Sequence, residues 1–280
     1  MAVRVVTDST ADLPPALASE WGITVVPLNV HFGEESFKDG VDLKADQFFE
    51  RLASSPQLPT TSQPSIGEFL DIYRALTASG DEVASIHISE KLSGTMNSAR
   101  QAQAELGAEG RVEVIDSLFC SMVLGLIVLE AAEEAQKEGS SLQSVVARTR
   151  DAIARAKLLA VLDTLEYLAK GGRIGKAQSF LGGLLQVKAM IEVKDGEVYP
   201  VERVRTRERS LERLVELVKG HGAMERMTVV HANAAEEAER VAQQVQPLLV
   251  RGSVVQSIIG PVIGTYAGPG AIGVGFLTPS

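Results

Sequence analysis

Short runs of apolar, β-branched residues alternate with longer amphipathic stretches through the first half of the chain. The apolar runs predict strands at Val3 to Val6, Ile23 to Val30, Glu82 to Ile88 and Val112 to Ile115. The stretches between them have a helical period and predict helices at Pro14 to Trp21, Phe48 to Ala53, Ile66 to Ala78 and Ser98 to Leu106. This alternation is typical of βαβ units, so a mainly parallel sheet is predicted here.

An antiparallel signal distinguishes the second half. Two long helical stretches, Ser117 to Glu138 and Leu142 to Ala156, are followed by the pair Asp195-Gly196 between the β-rich runs Val187 to Val193 and Glu197 to Val204. An Asp-Gly pair in this position predicts a two-residue hairpin. The remaining runs predict two helices and three strands, namely Arg207 to Lys219, Ala234 to Leu249, Met227 to His231, Ser253 to Gly260 and Gly270 to Phe276.

These patterns predict an α/β protein of two lobes, an N-terminal mainly parallel βαβ sheet and a C-terminal mixed α/β lobe with an antiparallel hairpin. The length of 280 residues fits this division, since about 150 residues per domain is usual. We place the boundary at residue 158, which gives an N-terminal α/β domain of residues 1–158 and a C-terminal mixed α/β domain of residues 159–280.

Charge and cysteine content narrow the possible functions. The net charge of −9 argues against binding to nucleic acid, which needs a concentrated cationic surface. A single cysteine, Cys120, cannot form an internal disulfide, and the N-terminus lacks the apolar segment of a signal peptide. The longest apolar run, Leu118 to Leu129, is shorter than the roughly 20 residues that span a bilayer, so it predicts a buried helix. We therefore expect a cytoplasmic protein.

Two hydroxyl-rich segments are candidates for anion binding. Pro59 to Ser65 holds four hydroxyls before an amphipathic run, so it either caps a helix that starts at Pro64, through Gln63 or Ser62, or donates hydrogen bonds to an anion.

The second segment, Ser89 to Ala99, follows a predicted strand, and ligands of parallel sheets bind beyond the carboxyl ends of the strands. Ser93 and Thr95 can donate to a carboxylate without adding positive charge, and Gly94 permits close approach of the backbone. The alternative interpretation of this segment is a helix cap at Asn97 or Ser98.

Two glycine-rich stretches resemble nucleotide loops in letters only. Gly268 to Gly273 matches G-x-G-x-x-G, but the sequence after it has no room for the helix and acidic residue of a dinucleotide site. In Gly171 to Ala177 the first glycine of a phosphate loop is replaced by Lys170, and Ala177 lacks the metal-binding hydroxyl. The four histidines are scattered without metal-ligand spacing. We therefore expect no cofactor, no metal and no nucleotide site of the chain's own.

Taken together, five blocks of this sequence resemble the DegV family. They run in order along nearly the whole chain and are Val6 to Pro14, Pro59 to Ser65, Ile88 to Ala99, Gly171 to Ala177 and Gly268 to Gly275. The resemblance implies a two-lobe α/β protein with a long-chain fatty acid, such as palmitate, buried between the lobes. It also implies a non-enzymatic role as the B subunit of bacterial fatty acid kinase, which presents the bound carboxylate to a separate ATP-binding subunit.

The resemblance also assigns the carboxylate site. It places the carboxylate at Thr61 and Ser93, with Ser62, Gly94 and Thr95 beside them. Where the family often has histidine this chain has Tyr266, a phenol that can donate a hydrogen bond but is not a cation near neutral pH. A C14 to C18 acid needs a long apolar lining, because each buried methylene contributes about 0.8 kcal/mol. The candidates for this lining are Leu118, Phe119, Met122, Phe180, Leu181, Leu184, Leu185 and Met190.

A basic run stands out in this acidic chain. It consists of Arg203, Arg205, Arg207 and Arg209, and alternation along a strand would put the first three on one face. The run is either a solvated surface or a docking patch for an acidic partner or an acyl phosphate. Arg173 and Lys176 would contribute to such a patch, and a carrier of this kind would also contact membranes transiently.

Two other function classes stay open. A serine hydrolase of lipid esters would use Ser93 as its nucleophile, although no G-x-S-x-G motif surrounds this residue. Its base would be His31, His221 or His231, since the members of a catalytic triad are neighbours in space rather than in sequence. A regulatory interaction protein would hold the lipid only as a structural component.

Overall fold

The structure is a computed structural model that describes residues 1–107, 111–181 and 187–280. Its strands are β1 (Val3–Asp8), β2 (Thr24–Val26), β3 (Asn29–Phe32), β4 (Glu35–Lys38), β5 (Thr60–Ser62), β6 (Glu82–His87), β7 (Val112–Asp116), β8 (Ala156–Leu162), β9 (Lys188–Lys194), β10 (Glu197–Val204), β11 (Arg226–His231), β12 (Val255–Ile258) and β13 (Ile272–Leu277). Its α-helices are α1 (Pro15–Glu20), α2 (Ala45–Ser54), α3 (Ile66–Thr77), α4 (Thr95–Leu106), α5 (Ser121–Ala135), α6 (Leu142–Arg155), α7 (Glu166–Lys170), α8 (Arg207–Lys219), α9 (Ala235–Val245) and α10 (Pro261–Ala267).

The first lobe contains the predicted parallel sheet. Its strand order is β2-β1-β6-β7, and all three pairings are parallel. Every residue of β6 is buried, because helices cover both faces of such a sheet. Phe69 and Tyr73 of α3 and Ala99 of α4 pack on one face, and α5 packs on the other.

A small antiparallel sheet in this lobe was not predicted. Its order is β4-β3-β5, and β3 lies between the other two strands. The prediction of one strand from Ile23 to Val30 is wrong, because the chain leaves the parallel sheet after Val26 and enters β3 at Asn29. Pro27, between them, has no N–H group to donate to a continuing ladder.

The second lobe is a mixed sheet of order β10-β9-β8-β13-β11-β12. The predicted hairpin is confirmed, since β9 and β10 pair antiparallel around Asp195 and Gly196, which have φ angles of 50° and 79°. Positive φ at both turn residues is typical of a type I′ turn. Strand β13 runs antiparallel to both of its neighbours. Residue 158 lies within β8, which follows α6 directly.

Helix α5 lies between the two main sheets. Its residues Ser121 to Ala132 are all buried, and it packs against β1 and β6 on one side and β8, β11 and β13 on the other. A helix that is apolar all round is expected to be buried in this way. Gly275 of β13 makes the approach possible, because a Cβ atom at this position would collide with Val123 of α5.

Helix α5 is shorter than the predicted stretch Ser117 to Glu138. It begins only at Ser121, because the chain turns at Leu118, whose φ angle of 60° is not helical, and Ser121 itself enters the helix with a φ angle of 54°. The carboxyl end of the helix carries Glu130, which pairs with Arg226 of β11 and Arg148 of α6. Among the described residues, no helix is both long enough and apolar enough to cross a bilayer.

Candidate functional site

A cavity lies on the inner face of the mixed sheet. Like most small-molecule sites, it is concave and has a mainly apolar lining. The first lobe contributes Leu28, Thr61, Ile88, Leu92, Ser93, Cys120 and Ser121 to its wall. The second lobe contributes Leu158, Ala160, Leu162, Leu168, Arg173, Ile191, Val193, Val198, Val230, Ile259, Val262, Ile263, Tyr266, Ala267, Ala271, Ile272 and Gly273. The wall is therefore mainly aliphatic and is built from both lobes.

The floor of the cavity is one face of the mixed sheet. Leu158, Ala160 and Leu162 alternate along β8 with residues of the opposite face, as the pleat requires. Ala160 pairs with Ile191 on one side and Gly273 on the other, and Gly273 pairs in turn with Val230. The two smallest side chains of this cross-strand row thus lie at its middle.

The polar groups of the wall are close neighbours of one another. The hydroxyl oxygens of Thr61 and Tyr266 are 2.6 Å apart. The guanidinium of Arg173 lies 5.0 Å from the centroid of the Tyr266 ring, and its Nε donates to the carbonyl oxygen of Leu92 at 3.2 Å, next to Ser93. A cation this close to an aromatic face is attracted to it. The cavity therefore has a polar end that contains three hydroxyls and one exposed guanidinium.

Two glycines position the polar end. Gly171 lies so close to the Tyr266 ring that a Cβ atom there would overlap it. Gly94 lies against Gln63, whose amide nitrogen would be 3.0 Å from an added Cβ. The first contact fixes the aromatic ring at the mouth of the cavity, and the second brings the two hydroxyl-rich segments together.

Three of the predicted carboxylate-site residues do not line the cavity. Ser62 points to the opposite side of β5 from Thr61, and its hydroxyl lies 2.9 Å from Nε2 of His31. Thr95 is buried, and its hydroxyl lies 2.9 Å from that of Ser93. Gly94 is not part of the wall either, and it packs against Gln63. Thr61, Ser93 and Tyr266 are the members of the predicted set that reach the cavity.

The predicted helix caps are wrong in both segments. Helix α3 starts at Ile66, and its cap is Ser65, whose Oγ accepts from the Glu68 N–H at 3.2 Å. Residues Thr60 to Ser62 cannot cap it because they pair with β3. Helix α4 starts at Thr95, with Gly94 before it, so Asn97 and Ser98 lie in its first turn.

None of the six predicted acyl-lining residues that the structure describes lies in the wall of this cavity. Met190 faces the other side of the mixed sheet from Ile191 and packs with Leu159 and Val204. Met122 is fully buried inside the protein core, and Leu181 is exposed. The others of the six, Leu118, Phe119 and Phe180, are not in the cavity wall either. Leu184 and Leu185 lie outside the described residues.

The basic run does not form the single face that alternation predicted. Strand β10 ends at Val204, so Arg205 lies in the turn and Arg207 begins α8. Arg207 pairs with Glu237 at 2.6 Å and with Asp163 at 3.1 Å. Arg203 instead stacks on Phe180, 4.6 Å from the ring centroid, while Arg209 pairs with Glu212 and Glu216. Carboxylates of the same lobe therefore neutralise half of the run.

Two buried carboxyl groups lie beside the cavity and were not predicted to be functional. Asp12 accepts hydrogen bonds from Ser121 Oγ at 2.5 Å and from the Gly260 N–H at 2.9 Å. Asp39 accepts from Ser9 Oγ at 2.7 Å. Burial raises the pKa of Asp12 well above its ordinary value and raises the pKa of Asp39 to about 7. The nearby carboxylate of Asp8 reinforces both shifts, since like charges disfavour ionisation.

The histidines required by a Ser93 hydrolase are engaged elsewhere. His31 contacts Ser62, His231 Nδ1 accepts from the Ala234 N–H, and His221 packs on Phe276. The fourth, His87, bonds to Ser85 at 2.7 Å and to Asp8 at 2.9 Å, but all three side chains are fully buried. The Ser93 hydroxyl has the hydroxyl of Thr95 as its partner, and a hydroxyl is not a general base.

The comparisons with known proteins agree along the whole chain. The family model described as "Uncharacterised protein, DegV family" matches residues 2–279. A DegV domain-containing protein of Halalkalibacterium halodurans is 39% identical over 278 residues, which cover 97% of each chain. A DegV family protein from Thermus thermophilus, described for its fatty acid binding, has a TM-score of 0.92 at 33% identity and 100% coverage of both chains. DegV from Bacillus subtilis, described as a fatty acid binding protein, has a TM-score of 0.89 at 34% identity, again with 100% coverage of both.

The fold and the cavity define a two-sheet α/β protein with an apolar internal pocket that is polar at one end. The two-lobe α/β prediction is thereby confirmed. The chain belongs to the DegV family.

Proposed function

We propose that this protein binds one long-chain fatty acid, with the acyl chain in the cavity and the carboxylate at its polar end. The cavity is the observation that carries the proposal, because its wall is mainly aliphatic and Thr61, Ser93, Tyr266 and Arg173 form a polar end. Cys120 and Ser121 also line the wall. Each buried methylene contributes about 0.8 kcal/mol, so a long chain gains most from such a wall. The fatty acid binding described for the Thermus and Bacillus relatives supports the same ligand class. A C14 to C18 acid such as palmitate is the proposed ligand.

In this proposal the hydroxyls of Thr61, Ser93 and Tyr266 donate to the carboxylate. Thr61 and Tyr266 are already within hydrogen-bond distance of each other, so a carboxylate oxygen would accept from both at one point. Thr95 holds the Ser93 hydroxyl, and Gly94 and Ser62 support the two segments from behind. Neutral donors satisfy the carboxylate without the cost of a second buried charge.

Lipid extraction of the purified protein should yield about one equivalent of a fatty acid of this length. In the delipidated protein, Ser93→Ala should weaken palmitate binding about fivefold or more, since a hydrogen bond to a charged group contributes at least about 1 kcal/mol. Isothermal titration calorimetry would measure the palmitate affinities of the unmodified protein and the variant. Ser54→Ala, on the exposed face of α2, is the matched control and should bind like the unmodified protein. A protein that is lipid-free as purified and does not bind palmitate would contradict the proposal.

We also propose that the bound carboxylate is presented to a separate ATP-binding kinase subunit for phosphorylation, and that the chain itself is not an enzyme. Support comes from the polar end, where the exposed Arg173 lies next to Tyr266. The 3-10 helix Gly175–Phe180 follows it, and Arg203 stacks on the last residue of that helix. Arg173, Arg203 and the neighbouring Arg205 are the proposed contacts for the partner or for the transferred phosphate.

Arg173→Ala should separate binding from phosphorylation. We expect palmitate affinity to fall less than about threefold, because the three hydroxyls stay in place, while acyl phosphate formation by an added kinase subunit slows at least about tenfold. Arg251→Ala removes an exposed arginine shortly before β12 and should leave both the palmitate affinity and the phosphorylation rate unchanged. Equal phosphorylation rates for the two variants would remove Arg173 from the partner contact.

The cellular setting is part of the same proposal. The carrier would be cytoplasmic and would consist of domains 1–158 and 159–280, with the cavity between its two lobes. It would contact membranes transiently to collect or release its ligand. The unpaired Cys120, which lines the cavity, supports a reducing compartment.

A further inference from the structure

The middle of the cavity floor is unusually open for a sheet surface. In the cross-strand row Ile191, Ala160, Gly273 and Val230, the outer positions are branched and the inner positions carry a methyl group or no side chain at all. Along β8 the flanking cavity residues are Leu158 and Leu162. Larger side chains therefore border this centre at both ends of the row and along β8, while the residues next to Gly273 on the same face of its own strand are Ala271 and Gly275.

Gly273 is the residue that keeps this centre open. A Cβ atom there would lie 3.0 Å from Cγ2 of Val230 and 3.5 Å from Cδ1 of Leu158. A separation of 3.0 Å is tighter than ordinary carbon contact, so Val230 would have to move by a few tenths of an ångström. Val230 and Leu158 both line the cavity, and a side-chain atom of each lies next to the position that a Cβ atom of residue 273 would occupy. Filling that position displaces them and narrows the cavity at its middle.

The backbone does not require glycine at this position. Gly273 lies inside strand β13, and its φ angle is not among the positive ones. Glycine in the middle of a strand costs stability and often marks a place where a ligand approaches closely. Gly275, two residues further on the same face, is explained by its contact with Val123 of α5. The three atoms nearest to a Cβ at Gly273 belong instead to Val230, Leu158 and Ala160, which all line the cavity.

We propose that Gly273, together with Ala160, determines how wide an acyl chain the cavity accepts. The inference rests on the proposed fatty acid function and deepens it. The open centre admits a chain that bends at its middle, as a cis-unsaturated chain does, in addition to a straight saturated chain. Gly273 is thus a specificity-determining residue of the cavity wall. Its role is to select the acyl chain, whereas the hydroxyls hold the carboxylate.

The test compares palmitate with palmitoleate, two acids of equal length of which the second carries one cis double bond. Delipidated unmodified protein should bind both. Gly273→Ala should bind palmitoleate about tenfold more weakly while its palmitate affinity changes less than about threefold, since one methyl group in a tight apolar pocket discriminates by roughly this factor. Ala160→Val is the second variant, needed if Gly273→Ala does not fold, and should change the preference in the same direction.

Ala242→Val is the matched control, because it adds the same two methyl groups to the core on the opposite side of the mixed sheet. It should lower thermal stability without changing the ratio of the two affinities. Equal losses for the two acids in both cavity variants, or no loss, would overturn the width proposal while fatty acid binding itself stands. Failure of the unmodified protein to bind either acid would instead refute the proposed function.

Discussion

Glu130→Ala should lower the free energy of unfolding by about 3 kcal/mol or more, because it removes one partner of a buried ion pair. Glu130 is 1% exposed and lies in α5, between the two sheets. Its carboxylate pairs with Arg226 of β11 and Arg148 of α6, and Arg155 lies 4.0 Å away. Without it, the partly exposed Arg226 and Arg148 and the buried Arg155 lose a carboxylate that is itself shielded from water. Urea unfolding followed by circular dichroism measures the loss.

Glu133→Ala is the control for this substitution. Glu133 lies one turn further along α5 and also pairs with Arg226, but its side chain is 44% exposed. A pair of this exposure contributes at most about 1 kcal/mol. Equal losses for the two variants would show that the burial of Glu130 has no special energetic effect.

Asp39→Asn should make the protein more stable at neutral pH and leave its stability nearly unchanged in acid. The carboxyl group is 4% exposed, and burial raises its pKa from the usual 3.8 to about 7. The folded state therefore keeps a proton that the unfolded state releases, so stability falls as the pH rises from about 4 to 7. Loss of that proton costs about 4 kcal/mol at pH 8, since one pKa unit corresponds to about 1.4 kcal/mol. Asparagine has no such proton to lose.

The measurement is the difference in free energy of unfolding between the variant and the unmodified protein at several pH values. This difference isolates Asp39 from carboxylates such as Glu68 and Glu237, whose pKa values are lowered and which act in the opposite direction. Asp8 and Asp12 are the carboxyl groups that lie near Asp39, and its hydrogen-bond donors are Ser9 Oγ and the backbone N–H of Val262. Asp42→Asn, at an exposed position of the same loop, should have a small effect throughout. A difference that does not grow with pH would contradict the prediction.

Much of the fold could be predicted because local patterns and tertiary structure agree. The period of apolar residues places α8 at Arg207–Lys219 with the same bounds that the structure has. The pair Asp195-Gly196 predicts its hairpin because positive φ at both residues is needed for a tight turn. The antiparallel strands β3 to β5 escaped prediction because they are three or four residues long and rich in polar side chains.

The two ends of the candidate site differ in how far they could be predicted. Thr61, Ser93 and Arg173 belong to sequence blocks with an unusual density of hydroxyl, glycine and basic residues, and Tyr266 lies two residues before another glycine-rich block. The structure places all four in the wall of the cavity. The aliphatic part of the cavity wall has no such signal. An aliphatic residue in β8 or β9 looks the same on either face of the sheet, and only the pairing of the strands decides which face is the cavity.

The raised pKa values of Asp12 and Asp39 also depend on distant parts of the chain. Asp12 receives its hydrogen bonds from Ser121 and Gly260, which are more than a hundred residues away. An aspartate that follows a strand is often exposed, so its local sequence does not predict burial. The burial of Asp12 results from the packing of the two lobes.

The shared position of α5 has a consequence for recombination between relatives. Both sheets pack on the same helix, Gly275 admits Val123, and Glu130 is matched to arginines of the second lobe and of α6. In a chimera that joins the first lobe of one DegV protein to the second lobe of another, the two residues of each contact between the lobes would come from different proteins. The lobes of this protein are therefore expected to have evolved as matched partners rather than as exchangeable modules.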